Sequence, residues 1–524
     1  MKARRLAPAV AAATALVALA PAPAVAAPGG ARPSPAAAPR SVPLSWQRCG
    51  PGTAADFECT TVRVPLDYRD PAGKRIGIAV SRIRAADPEK RRGVLLINPG
   101  GPGGEGLQMP VQFRRALPRS VLDSYDLVGF DPRGIGRSAP VACGLTEEET
   151  RWPRPYGAKT FAADTARSRG TAGKCRAGYG ADLKHFTTRN TARDMDAVRS
   201  ALGERKISYL GYSYGTYLGS VYTQLFPRRA DRFVLDSAVD PKLAWRENFR
   251  GWGAEAGPAF ERWTRWTAAR DGRYGLGATP KAVSRTFWDL VREAERKPIR
   301  IGDDLFGGDA IRDEMRALFF GAEDAAETVV MLKDAAAGEP VPPLPQEPPP
   351  SDNEASGQFA ILCGDAAWPR SPGTYARDSV RDGKRYPLYG DFASNITPCA
   401  FWDRPVEPPT TVDNRVPALI LQNEWDSQTP LSGARGLHRA LKGSRLVTVD
   451  EGEGHGVYLF GGACANDLAT EYLTSGRLPA ADTTCRADPA PRQRSGTDAP
   501  PAPEGPFGAT APGGFGTRPY HRSL

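Results

Sequence analysis

A serine hydroxyl becomes a useful nucleophile only when the backbone lifts it clear of the sheet and a base stands beside it. Gly211-Tyr212-Ser213-Tyr214-Gly215 has the spacing for that. Lys206 to Leu210 reads as a short buried strand before it, and Thr216 to Tyr222 as a helix after it. A serine on such a strand-to-helix turn exposes its hydroxyl, and the flanking glycines make room for the strained backbone. The helix N-terminus beneath favours negative charge, which suits an oxyanion. The expected chemistry is acyl transfer through Ser213.

A nucleophilic serine needs an imidazole, and the imidazole needs a carboxylate to orient it. The chain has four histidines. His521 lies in a terminal stretch without apolar periodicity, and His438 sits in a helical pattern where a packing role suffices. His185 precedes a helix upstream of the serine. His455, in Gly452-Glu453-Gly454-His455-Gly456, follows the last buried strand pattern and is the expected base. The acid belongs in the loop after the strand Ala418 to Gln422. Asp426 is preferred there, with Glu424 as the rival nearer the strand end. The order Ser213, Asp426, His455 is the Ser-Asp-His order of hydrolases with a nucleophile elbow.

An oxyanion needs two backbone N–H donors. Tyr214, directly after the nucleophile, supplies one. The second is expected from Asn98-Pro99-Gly100-Gly101-Pro102-Gly103-Gly104-Glu105-Gly106, with Gly101 first and Gly100 second. A phosphate cradle is the competing reading of so many glycines, but no G-K-[ST] follows. This chemistry calls for no metal and no organic cofactor. Asp131 and Arg133 are expected to fix their own loop by hydrogen bonds. Asn395-Ile396-Thr397 matches a glycosylation sequon but is discounted.

These residues must be carried by a sheet. Gly93 to Asn98, Tyr125 to Asp131 and Arg232 to Asp236 are near-continuous apolar runs, the mark of strands buried on both faces. Thr61 to Tyr68 and Ile76 to Ile83 alternate like an edge hairpin, and Asn190 to Leu202 has helical spacing. Strands alternating with helices imply an α/β class with a mainly parallel sheet. Residues 45–238 read as a first core segment with the nucleophile, 239–405 as an inserted, mostly helical cap, and 406–485 as a second core segment with the acid and histidine. Arg445 to Val449 reads as its last strand and Cys464 to Thr474 as its final helix.

The chain has 524 residues and opens with Met1-Lys2-Ala3-Arg4-Arg5, an apolar stretch and Ala24-Val25-Ala26. Residues 1–26 read as a secretory signal peptide, 27–44 as a flexible leader and 486–524 as a disordered tail. The expected location is extracellular, with no membrane attachment after cleavage. The formal net charge is +10, but Lys2, Arg4 and Arg5 leave with the signal, and five arginines stand against three acids after Cys485. The remaining positive residues are scattered, which argues against a nucleic-acid partner. Eight cysteines without a C-x-x-C spacing suggest disulfides in an exported chain. Nearest-neighbour pairing is expected: Cys49 with Cys59, Cys143 with Cys175, Cys363 with Cys399, Cys464 with Cys485.

Seven segments together carry a resemblance: Asn98 to Gly104, Phe130 to Ser138, Gly211 to Gly219, Asp236 to Pro241, Ala360 to Pro369, the D-x-x-T-P run at Asp426, and Gly454 to Tyr458. On them the chain resembles the secreted tripeptidyl aminopeptidases of actinomycetes, in the prolyl-aminopeptidase-like branch of the α/β-hydrolases. The resemblance implies an α/β-hydrolase fold, catalytic roles for Ser213, Asp426 and His455, and peptide substrates with a free amino terminus cleaved into short pieces. Glu105 departs from the small residue usual at its place. An α-ammonium needs a carboxylate at a fixed distance from the nucleophile, and Glu105 could provide one. A secreted esterase or amidase on the same triad is the alternative.

Overall fold

The computed structural model describes residues 44–487 apart from 153, 320, 344–348 and 461. The expected signal peptide, leader and tail lie outside the described residues, as does His521.

Twelve strands occur among the described residues: β1 Gln47–Arg48, β2 Glu58–Pro65, β3 Arg75–Ile83, β4 Gly93–Asn98, β5 Tyr125–Phe130, β6 Ile207–Tyr212, β7 Ala230–Asp236, β8 Ile299–Ile301, β9 Asp304–Phe306, β10 Ala418–Asn423, β11 Arg445–Asp450 and β12 Thr483–Arg486. Ten of them form one sheet in the order β1-β2-β3-β5-β4-β6-β7-β10-β11-β12. The pairs from β1 to β3, and β3 with β5, are antiparallel; every pair from β5 to β12 is parallel. The apolar runs explain this. Every residue of β4, β5, β6 and β10 is buried, and successive side chains supply two different cores. Leu96, Val128, Tyr209 and Ile420 pack on one face, and Ile97, Leu127, Leu210 and Leu421 on the other. Helices cover both faces, as an α/β-hydrolase requires.

The chain steps from β4 outward to β5 and then back past β4 to β6. That reversal opens a crevice at the carboxyl ends of β4 and β6, where ligands of open α/β sheets bind. The glycine-rich loop leaves β4 there, and Ser213 leaves β6.

Between β7 and β10 stand mostly helices, among them Arg246–Ala268, Pro280–Arg296, Gly308–Leu318, Ala322–Ala337 and Asp352–Asp365. The helical patterns at Phe260 to Ala269 and Ala282 to Glu295 are parts of longer helices. Two features were not anticipated. The short hairpin of β8 and β9 interrupts these helices. Strand β12 extends the sheet beside β11 and ends at Arg486, one residue into the stretch read as tail. It is tied back by Cys485 to Cys464. The other expected disulfides, Cys49–Cys59, Cys143–Cys175 and Cys363–Cys399, are also present. No helix among the described residues is long and apolar enough to cross a membrane.

Candidate active site

Ser213 sits at the sharp turn from β6 into the helix Tyr214–Leu225, with φ 56° and ψ −121°. A non-glycine residue at positive φ is strained and persists only where its surroundings impose it. Here the Ser213 N–H donates to the Asp236 carbonyl at 2.9 Å, and the Ser213 carbonyl accepts from both the N–H and the hydroxyl of Thr216. The flanking glycines serve by close approach. A Cβ on Gly211 would lie 2.4 Å from the Tyr209 ring, and one on Gly215 would lie 2.8 Å from the Asn98 carboxamide.

His455 and Asp426 meet from the loops after β11 and β10. Nδ1 of His455 is 2.8 Å from Oδ2 of Asp426. The same carboxylate accepts the Thr429 hydroxyl at 2.8 Å, while its other oxygen accepts the N–H groups of Gln428 at 2.8 Å and Thr429 at 2.9 Å. Burial would push the Asp426 carboxyl up. The charge and hydrogen bond of His455, with the Thr429 donors, outweigh it and hold the group below the usual carboxylate range. The rival, Glu424, turns away. Its carboxylate accepts the Glu451 N–H, and it lines a separate cavity with Trp425.

Ser213, His455, Tyr214 and Gly101 line one narrow cavity of about 20 Å³. Its walls are Val239, Trp245, Phe249 and Trp252, with the amides of Asn248 and Gln428 among them. Tyr214 is the first residue of its helix, so its N–H has no intrahelical partner. Of the two oxyanion candidates, Gly100 has its N–H donated to Asn98 Oδ1 at 3.1 Å, whereas Gly101 borders the cavity. The loop presses close to Ser213: a Cβ on Gly100 would sit 3.0 Å from that of Ser213.

The other sequence candidates lie elsewhere. Glu105 is exposed and does not line this cavity. Burial, then the charge of Asp131, push its carboxyl up against the opposing pull of Arg137. Asp131 accepts the N–H groups of Gly106, Leu107 and Arg137, and Arg133 holds Asp194 and three carbonyls, so both serve the scaffold. His185 is buried beside Asp67, and His438 contacts Ser444. Asn395 of the sequon is buried and donates to the Arg154 carbonyl.

Three supporting residues escaped the sequence reading of the site. The Asp236 carboxylate accepts the N–H groups of Val457 and Tyr458, and Ser237 Oγ accepts that of Gly456. Asn423 donates to the carbonyls of Glu453, Gly454 and Gly456. The histidine loop is thus held by the ends of β7 and β10. A polar residue closing a largely buried strand was the available signal, because buried polar groups need partners. Among the described residues no cluster of histidine, cysteine and acidic side chains is arranged to hold a metal ion.

The chain has relatives among known proteins. Residues 386–485 match the family described as TAP-like protein. The chain is 36% identical over 480 residues to the tripeptidyl aminopeptidase of Streptomyces lividans, covering 86% of this chain and 88% of that one. It is 30% identical over 494 residues to the serine protease Hip1 of Mycobacterium tuberculosis, covering 84% of this chain and 91% of that one. A Mycobacterium tuberculosis protein named carboxylesterase B is 30% identical over 86% of this chain and 91% of its own. With this fold, this site and these relatives, the chain belongs to the tripeptidyl aminopeptidase-like family of α/β-hydrolases and is a serine hydrolase of the peptidase kind.

Proposed function

We propose that this is a secreted serine exopeptidase that releases short peptides, tripeptides foremost, from free amino termini. The observation that carries the reading is the His455–Asp426 pair, at 2.8 Å, in the cavity that Ser213 lines. His455 takes the proton of Ser213 as its oxygen attacks the scissile carbonyl. The N–H groups of Tyr214 and Gly101 stabilise the oxyanion. His455 then protonates the leaving amine, and water, activated by the same imidazole, releases the acyl group. Asp426 keeps the imidazole in the productive tautomer.

The insert at 239–405 is read as the cap that limits access to a peptide end. Trp245, Phe249 and Trp252 reach the cavity from it. Glu105 is the proposed carboxylate for the α-ammonium; Glu354, whose carboxyl is pushed up first by burial and then by the charge of Glu105, shares that acidic corner. Four disulfides suit an oxidising, extracellular setting.

The likeness to carboxylesterase B keeps a second reading, a small-molecule esterase or amidase on the same triad. Turnover of a tripeptide anilide with a free and with an acetylated amino terminus separates the two. Strong preference for the free amine supports the exopeptidase, and equal rates count against it. Mass spectrometry of a digested peptide library then reads the length released.

A further inference from the structure

Arg316, on the helix Gly308–Leu318 of the insert, is 1% exposed. A guanidinium so deeply buried is costly unless the fold uses it. Its Cζ lies 4.1 Å from the ring centre of Trp252 and 4.9 Å from that of Tyr389, so two aromatic faces receive the charge. Nη2 donates to the side-chain oxygen of Gln428, while Nε and Nη1 have no acceptor among the described residues. Gln428 is a junction. Its carbonyl accepts the Trp252 indole N–H at 2.6 Å, and its own N–H donates to Asp426 Oδ1 at 2.8 Å. Two insert helices therefore grip the residue that grips the carboxylate beside His455.

We propose that Arg316 is a positioning residue for the reaction: with Trp252 it clamps Gln428, and through the Gln428 N–H it fixes the orientation of Asp426. The inference rests on the reading of Asp426 as the acid of the triad. Its consequence is that the base is aligned only while the insert is seated on the acid-bearing loop. Closure over a peptide and assembly of the catalytic groups become one event, a known route to specificity.

The test is steady-state kinetics of the full-length protein on a tripeptide anilide. Arg316→Met lowers kcat about tenfold and keeps KM within about twofold because Arg316 does not line the cavity. Arg316→Lys restores part of kcat. Gln428→Met lowers kcat to a similar extent, and the double variant is no worse than about the worse single, since both remove one contact. If Arg316→Met does not fold, Gln428→Met with Arg316→Lys carries the same comparison. Wild-type kcat in folded Arg316→Met, or fully multiplicative losses in the double variant, overturn the inference. Asp426→Asn separates it from its premise. An inactive Asp426→Asn beside a normal Arg316→Met removes this inference alone, whereas a fully active Asp426→Asn removes the triad reading and this inference with it.

Discussion

Ser213 and Asp236 are joined by a main-chain hydrogen bond of 2.9 Å from the serine N–H to the aspartate carbonyl. The carboxylate of the same Asp236 receives the Val457 and Tyr458 N–H groups, just past His455. One residue at the end of β7 thus braces the Ser213 turn with its backbone and the His455 loop with its side chain. Asp236→Ala leaves those buried donors without an acceptor, at a cost of about 1–3 kcal/mol for each. A displacement of the base by about 1 Å is enough for a roughly hundredfold loss. The expected outcome is a kcat lower by about that factor, a KM within about threefold and a lower Tm. Unchanged kcat would show that the loop holds itself.

How much of this was legible in the sequence varies by residue. Ser213, Asp426 and His455 were singled out because each follows a buried strand pattern, and the structure brings Asp426 to 2.8 Å from His455; such patterns need no distant partner to be recognised. The pairing of the cysteines was legible because each bridge closes a short loop. Strand β12 was not, since Thr483 to Arg486 is too short and polar to carry a period. It becomes a strand only because β11 offers an edge and Cys485 is tied to Cys464. The β8–β9 hairpin escaped for the same reason of length. Asp236, Asn423, Gln428 and Arg316 were invisible as site residues, because their value lies in hydrogen bonds to loops distant in the chain. No periodicity records such contacts.

Thr429 donates its hydroxyl to the Asp426 oxygen that also faces His455. Thr429→Val keeps the shape and removes the donor. A hydrogen bond to a charged acceptor contributes about 1.5–3 kcal/mol, so a kcat loss of about tenfold or more is expected with little change in fold. The comparison is kcat and circular dichroism of wild type and variant; equal rates would remove Thr429 from the account.

The Asp236 carboxyl is raised to about 7, chiefly by burial, despite its backbone donors. Asp313 and Asp365 are likewise raised by burial, each to about 6. Unfolded aspartates titrate near about 3.9, so between about pH 4 and 7 the folded chain holds protons that unfolding releases. This contribution to stability is complete below about 4 and is lost as pH rises through about 7. His185, lowered by burial, acts in the opposite sense. The difference isolates Asp236: the Tm of wild type minus that of Asp236→Asn shrinks from pH 5 to pH 8. A difference that grows over that range contradicts the assignment.

Glu105 stands in the glycine-rich loop after β4, in an acidic corner with Glu354. As the proposed partner of a substrate ammonium it contributes to binding and not to the chemical step. Glu105→Gln is expected to raise KM for free-amine peptides about fivefold and to leave kcat and the turnover of acetylated substrates alone. An unaltered KM would end this role.

The central claim is that Ser213 is the nucleophile and His455 with Asp426 its activating pair. A fluorophosphonate probe followed by peptide mass spectrometry measures this directly. The account predicts a single adduct on the peptide that holds Ser213, none in Ser213→Ala, and labelling slowed at least about a thousandfold in His455→Ala. An adduct on another residue, or peptide hydrolysis at the wild-type rate by Ser213→Ala, would contradict it.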